Sequence, residues 1–304
     1  QAAAPEKSVA VLAFDNRSDD KEAEYLSDGI SEELSDVLGR VPGLTVKGRT
    51  SAFFFKGKQA SAQEIGQKLG ATYLVRGSVR KQGKQVRITA QLSRAATDEV
   101  IWSSEPVVRD LSDVFALQDE IARTIAKKLQ LTLGASAAGG RAVNPQALQF
   151  YFQGREAWNL RTAEGYVRAE EWFNRALAIA PDFARAVVGR SDVWMIRDDN
   201  LRLIGQWNQR NSPQLQRILA EIRRALALEP DLPEARASYG FALGRAGDAV
   251  GSERELRLAA KLNPNYTTVH HWLGVTLQSY GKVQESLAAF QRAQSHLSFR
   301  LLAA

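Results

Sequence analysis

The sequence predicts an α+β domain, a mixed sheet with helices on one face, followed by an all-α solenoid of helix pairs. Three observations carry this. From Ser8 to Leu133, short apolar runs and amphipathic stretches follow one another as strand, helix, strand, helix, three antiparallel strands and a last helix. Further on, Gly240 and Gly274 are 34 residues apart, as are Pro230 and Pro264, and Ala225, Ala259 and Ala293 recur at the same interval. Between these regions Gly134-Ala-Ser-Ala-Ala-Gly-Gly140 is small and without apolar pattern, the composition of a flexible linker. The resulting division is a lead segment 1–7, an α+β domain 8–133, a linker 134–144, and about four repeat units over 145–304 with an insertion near 200–213.

Within the first domain, Ser8 to Phe14 is an apolar run closed by Asp15-Asn-Arg-Ser-Asp-Asp20, a buried strand followed by a turn. Leu26, Ile30, Leu34, Val37 and Leu38 recur at helical spacing over Glu22 to Arg40 and stop at Pro42-Gly43. Leu44-Thr-Val46 and Ala52-Phe-Phe-Phe55 read as extended segments. Ser61-Ala-Gln-Glu64 is a capping box, in which the serine hydroxyl accepts from an otherwise orphaned N–H, and the helix it opens ends at Gly70. Tyr73 to Val79 and Gln85 to Leu92 alternate apolar with polar residues about Lys81-Gln-Gly-Lys84, as a hairpin with one wet face should. Val100-Ile-Trp102 adds a third strand, and Leu111, Val114, Leu117, Ile121, Ile125 and Leu129 mark a long amphipathic helix.

In the second region, Gly240-Phe-Ala-Leu243 and Gly274-Val-Thr-Leu277 open first helices, Leu256-Arg-Leu-Ala259 and Phe290-Gln-Arg-Ala293 run along second helices, and Asn263-Pro264 closes a unit. Small residues let paired helices approach closely, and proline ends the second helix because it lacks the N–H that would continue it. A 34-residue unit with this order resembles the tetratricopeptide repeat. The first unit follows Pro145, with Phe150, Gly154 and Ala157 on one helix and Ala169, Phe173 and Ala176 on its partner. Gly154 to Pro181 is three residues longer than Gly240 to Pro264, which predicts a lengthened turn at Arg161-Thr-Ala-Glu164. Pro181 to Pro230 is 15 residues too long, and the excess falls within the stretch Asn200 to Pro213, which carries Leu201, Leu203, Ile204 and Trp207; such a loop should fold back and bury Ile204 or Trp207.

Composition narrows the function classes. The chain has 304 residues, 44% of them hydrophobic and 24% charged, and its net charge of +6 resides mostly after Gly134. No apolar run is long enough to cross a bilayer, and Gln1-Ala-Ala-Ala-Pro5 lacks the features of a signal peptide. The absence of cysteine excludes disulfides, thiolate metal sites and cysteine nucleophiles. Adjacent His270 and His271 project about 100° apart on a helix and so miss the i, i+4 geometry of a metal site. The first strand-to-helix turn has no glycine to cradle phosphate. Asp15, Asp19 and Asp20 read as turn formers, Glu32, Glu33 and Asp36 as a solvated helix face, and Phe53-Phe-Phe55 as core. Basic clusters at Arg80, Lys81, Lys84 and Arg87 and at Arg217, Arg223 and Arg224 lack a recognition-helix motif, so no direct nucleic-acid contact, no cofactor and no catalytic residue are expected.

Particular words then carry a family resemblance: Ser8-Val-Ala-Val-Leu-Ala-Phe14, Tyr25-Leu-Ser-Asp-Gly-Ile-Ser-Glu-Glu-Leu34, Gly48-Arg-Thr-Ser51, Phe55-Lys-Gly-Lys58, Gly77-Ser-Val-Arg80 and Phe115-Ala-Leu-Gln-Asp-Glu-Ile121. These resemble the bacterial TolB-like amino-terminal domain. Asn263-Pro-Asn-Tyr266 and His270-His-Trp272 are similar to the repeats that commonly follow it. The family's pair of domains commonly sits behind a CadC-type winged helix or a class III nucleotide cyclase. The resemblance therefore implies a non-enzymatic sensing and docking module of a larger regulator. For the CadC-type arrangement it implies a periplasmic location behind an upstream membrane span, with a cytoplasmic location as the alternative.

In tetratricopeptide arrays the first helices line a concave groove. Counting from the glycine positions puts Tyr151, Arg155, Trp158, Arg185, Asp192, Glu234, Phe241, Arg245, His271 and Gln278 in it. Aromatic rings offer contact area at low entropic cost and arginine a planar fork for carboxylates, so the expected partner is a protein or an extended, acidic peptide. The alternative reading is an accessory domain of a nucleotide cyclase, or a freestanding nucleotide-handling protein.

Overall fold

A computed structural model describes residues 7–20, 23–132, 142–197 and 212–296. They fall into two compact units, the first comprising residues up to Ala142 with Asn263–Thr267 and the segment from Gln294, the second Val143–Leu262 with Thr268–Ala293. The lead up to Glu6, most of the 134–144 linker, and the insertion with Ile204 and Trp207 lie outside the described residues.

Among the described residues the first unit is built on seven strands, β1 (Ser8–Val11), β2 (Asp15–Asn16), β3 (Thr45–Val46), β4 (Tyr73–Gln82), β5 (Gln85–Arg94), β6 (Val100–Ser103) and β7 (Val107–Asp110). The sheet order is β3-β1-β4-β5-β6, with β2 also on β4 and β7 also on β5. β1 is parallel to β3 and β4, while β4, β5 and the outer strands are antiparallel, so the sheet is mixed as expected. The apolar run at 8–14 is not one strand. The strand ends at Val11, and the first residues of the expected turn, Asp15 and Asn16, form β2, which pairs with Ser78 and Val79 further along β4. Gly83, at φ +59°, makes the tight β4–β5 turn.

The helices are α1 (Glu24–Gly39), α2 (Arg49–Phe53), α3 (Ala62–Leu69) and α4 (Val114–Lys128). The expectation of helices on one face is corrected. Ala10 and its cross-strand partner Leu74 pack beneath α2 and α3 in a cluster with Phe55, Ile65 and Leu69. Val9, Val11 and Val75 alternate to the opposite face and are equally buried, where α1 and α4 lie. Gln118 Nε2 of α4 donates to Ile30 O of α1 at 3.1 Å, and Ser31 Oγ of α1 accepts from Phe14 N at 2.9 Å. A parallel crossover strand such as β1 needs cover on both sides.

Two further readings change. Residues 49–53, expected as partly extended, form α2; Phe55 is core while Phe54 stays exposed. Glu32 and Glu33 are not a solvated face: both are buried, and Glu32 pairs with Arg49 at 2.9 Å. The Ser61 half of the capping box is present, its hydroxyl accepting from Glu64 N, with the Glu64 carboxylate paired to Lys68 and Gly70 closing α3 at φ +60°. Asn265 belongs to this unit; its amide donates to Gly39 O and Leu44 O at 2.8 and 2.9 Å and accepts from Val46 N at 2.9 Å.

The second unit is helical. Its pairs are α5 (Pro145–Asn159) with α6 (Ala163–Ile179), α7 (Ala184–Arg197) with α8 (Pro213–Leu228), α9 (Pro233–Arg245) with α10 (Ala249–Leu262), and α11 (Thr267–Ser279) with α12 (Val283–His296). Asn144, Thr162 and Ser212 cap their helices through side-chain oxygens, and prolines occupy the first turns of α5, α8 and α9. Close approach at the glycines is what the 34-residue pattern encodes. A Cβ at Gly154 or Gly189 would come within 2.6 Å of the Phe173 ring, one at Gly274 within 2.7 Å of Phe290, and one at Gly240 within 2.8 Å of Leu256. The lengthened turn at 161–164 is corrected: the three extra residues extend the second helix, α6 having 17 residues against 14 in α10.

Candidate functional site

First helices α5, α7 and α9 lie side by side in the second unit. Along them the ten expected groove residues sort into three environments. Tyr151, Trp158, Asp192 and Phe241 are buried, Arg155, Arg185, Glu234 and Arg245 half-buried, and His271 and Gln278 exposed.

The buried aromatics are engaged in packing. Tyr151 lies among Phe152, Phe173 and Phe183, with ring centroids 4.9 Å apart for the last pair. Trp158 faces Tyr166 at 5.2 Å, and the Arg161 guanidinium stands 4.6 Å over its ring. Phe241 stacks on Trp272 at 4.7 Å, bridging α9 and α11, and Arg245 lies 5.5 Å over the Phe241 ring. A contact surface rich in accessible aromatics is therefore not what these positions provide. Their apolar area is spent between helices, and the side chains left on the face are polar.

Arg155, Asp192 and Glu234 are the expected residues that the fold brings into one electrostatic cluster. Ser238 Oγ on α9 donates to Asp192 Oδ1 on α7 at 2.5 Å. Burial pushes the Asp192 carboxyl up to about 7; the Ser238 hydrogen bond and the charges of Arg155 and Arg161 pull the other way, and Glu234 adds to the rise. Arg185 pairs with Glu229 at 3.5 Å. Desolvation holds the half-buried Arg245 guanidinium below its ordinary pKa value, and partial desolvation of one side of the otherwise exposed His271 ring lowers the imidazole as well.

Sequence reasoning missed Ser238, Trp272 and Trp194. The Trp194 indole donates to Glu170 Oε1 at 2.7 Å, and the guanidiniums of Arg190 and Arg217 stand 4.7 and 4.3 Å from its ring. Trp272 carried a signal, since its neighbour Gly274 fixes the register of that helix. Ser238 carried none, because its partner is on another helix 46 positions away. Among the described residues no group of three or more His, Cys, Asp or Glu is placed to hold a metal ion, and no helix is long and apolar enough to cross a membrane.

This geometry defines a class: an α+β domain together with helix-pair repeats of the tetratricopeptide type, whose first helices present arginines and carboxylates. No known protein-family profile matches the chain. It is 33% identical over 240 residues to the Rhizobium meliloti (strain 1021) protein named "Putative adenylate cyclase 3". That match takes in 78% of this chain and 40% of the relative, so the chain spans about two-fifths of the relative's length. Solved structures that overlap it include TTC0263, a thermophilic TPR protein of Thermus thermophilus, at 18% identity, over 60% of this chain and 86% of that one, with a TM-score of 0.41. Another is MamA of Desulfovibrio magneticus RS-1, at 17% identity, over 52% and 78%, with a TM-score of 0.35.

Proposed function

We propose that the chain is a non-catalytic sensing and docking module of a larger bacterial signalling protein, binding an acidic, extended protein segment along the first helices of the repeats. The observation that carries this reading is the division of that face: its aromatics are packed away, while Arg155 and Arg245 remain half-accessible on α5 and α9. A guanidinium offers two parallel N–H donors matched to a carboxylate, which makes such a row selective for acidic side chains or a chain terminus. Charge of this kind also speeds encounter, and the gain falls with salt.

Titrating the full chain with an octaglutamate peptide at low salt, with octalysine as control, tests the reading. Octaglutamate alone should bind, and Arg155→Glu with Arg245→Glu should weaken it by about tenfold or more, near 1.4 kcal/mol. Equal binding of octalysine, or no effect of the double variant, would overturn it.

A second reading concerns the output. Of the two outputs that the TolB-like resemblance implies, the relative named as an adenylate cyclase supports a nucleotide cyclase over a winged helix. On the CadC-type arrangement the module lies in the periplasm; on the cyclase-type it lies where its cyclase does. Reading the coding sequence upstream of Gln1 decides. An apolar span of about 20 residues behind a winged helix establishes the first, and a cytosolic cyclase domain removes the periplasmic proposal.

A further inference from the structure

The cover over the α2–α3 face of the sheet runs out before the strands do. At ~1.5 Å per residue the eight-residue α3 is about 12 Å long, whereas the ten-residue β4, at ~3.3 Å per residue, reaches about 33 Å. Leu74 lies beneath α3, fully buried; Arg76, two positions on and so on the same face, is one-third exposed. A cleft of about 940 Å³ opens there, at the break between β1 and β2. Five separate segments wall it: residues 12–17, Glu24 at the start of α1, the α2–α3 connection with the start of α3, Arg76 and Gly77 of β4, and the β5–β6 turn at 96–98.

Its chemistry is divided. Leu12, Phe55 and Ile65, the edge of the cluster beneath α3, supply an apolar wall. Charged side chains supply the rest, with cations outnumbering carboxylates four to three among the lining residues. Lys56 is held at 2.8 and 2.6 Å by Glu24 and Asp28. Arg76 is held only loosely, by Asp98 in a pair 33% and 58% exposed. Lys58 has no carboxylate within 4 Å among the described residues, and its ammonium rests 2.9 Å from the centroid of the exposed Phe54 ring. Exposed pairs such as Arg76–Asp98 contribute little, so both cations can turn to a ligand at small cost.

We propose that this cleft binds a small organic anion, an apolar or aromatic body resting against Leu12, Phe55 and Ile65 while its carboxylate or phosphate is held by Arg76 and Lys58. The volume suits a ligand of up to nucleotide size. The site lies wholly within the first unit and does not depend on the peptide reading of the repeats.

Calorimetric titration of the full chain tests this with AMP, 3-phenylpropionate and, as a cation with a similar body, phenethylamine. At least one anion should bind with Kd below about 1 mM and the amine should not; which anion binds tells phosphate from carboxylate. Arg76→Gln with Lys58→Gln should weaken binding by about tenfold or more while octaglutamate binding and the melting temperature stay unchanged. Should that variant fold poorly, Ala96→Trp, at an exposed position of the rim, should block the cleft without unfolding the domain. Absence of binding by both anions, equal binding of the amine, or unchanged binding to the variants would overturn the proposal.

Discussion

The cleft of the first unit and the first-helix face of the repeats handle charge in opposite ways. At the rim of the cleft the ions stay wet: Arg17 and Asp15 pair at 3.2 Å with both side chains 68% exposed, and the Arg76–Asp98 pair is open to water. On the repeat face one carboxylate is sealed between helices, with a neutral serine hydroxyl as its hydrogen-bond donor. Exposed pairs exchange partners easily and are screened by salt, so they suit a place where a ligand comes and goes. A sealed carboxylate whose charge is disfavoured makes the packing of α7 against α9 depend on its proton.

Substitutions can break this contrast, and the largest effect is expected where charge plays no part. Phe173→Ala removes a ring buried to 1% exposure and wedged against Gly154 and Gly189, and should cost about 3–5 kcal/mol in urea unfolding of the helical signal. A loss under about 1 kcal/mol would mean the glycine contacts are not what joins the first two pairs.

Asp192 comes next. Its folded pKa, about 7, lies above the ordinary 3.8, so between those values the folded state holds a proton that the unfolded state has lost. The stability that Asp192 contributes should therefore be fully present below about pH 4, fall as pH rises toward 7, and be lost above, the whole change amounting to at most about 4 kcal/mol. Asp192→Asn should flatten that part of the profile. A variant with the wild-type slope would assign the dependence elsewhere.

Glu32→Gln sharpens the comparison from the first unit, where a buried carboxylate does have a cationic partner. Removing its charge leaves Arg49, only 26% exposed, without that ion pair, and should destabilise by roughly 2 kcal/mol near neutral pH, seen as a lower urea midpoint. At the small end, Arg17→Gln should change stability by less than about 0.5 kcal/mol, since its pair with Asp15 is open to water. A larger loss would show that the rim of the cleft is structural.

Much of this is legible in the sequence. The Ser61 cap, the Gly70 stop, the Gly83 turn and the helix pairs after Pro145 all follow from local chemistry. A hydroxyl satisfies a first-turn N–H, glycine accepts positive φ, and proline ends what it cannot continue. The candidate site was legible in part. Counting from the glycines placed the right residues on the first helices, yet periodicity says only that a residue faces inward or along a groove, and a tyrosine among three phenylalanines satisfies either description.

What the sequence determined by itself is the alternation of strands and helices and the 34-residue spacing that pairs helices through small residues, because these are set by neighbours a few positions away. The tertiary structure alone decided that helices cover both faces of the sheet, that Glu32 and Asp192 are sealed, and that α3 is too short to close the face beneath Arg76. It also decided that Asn265, written in the sequence as part of a repeat boundary, makes its hydrogen bonds to Gly39, Leu44 and Val46. Each of these depends on which element a residue meets across more than 10 positions of chain. That meeting is fixed by the joint burial of apolar faces, which no local pattern records.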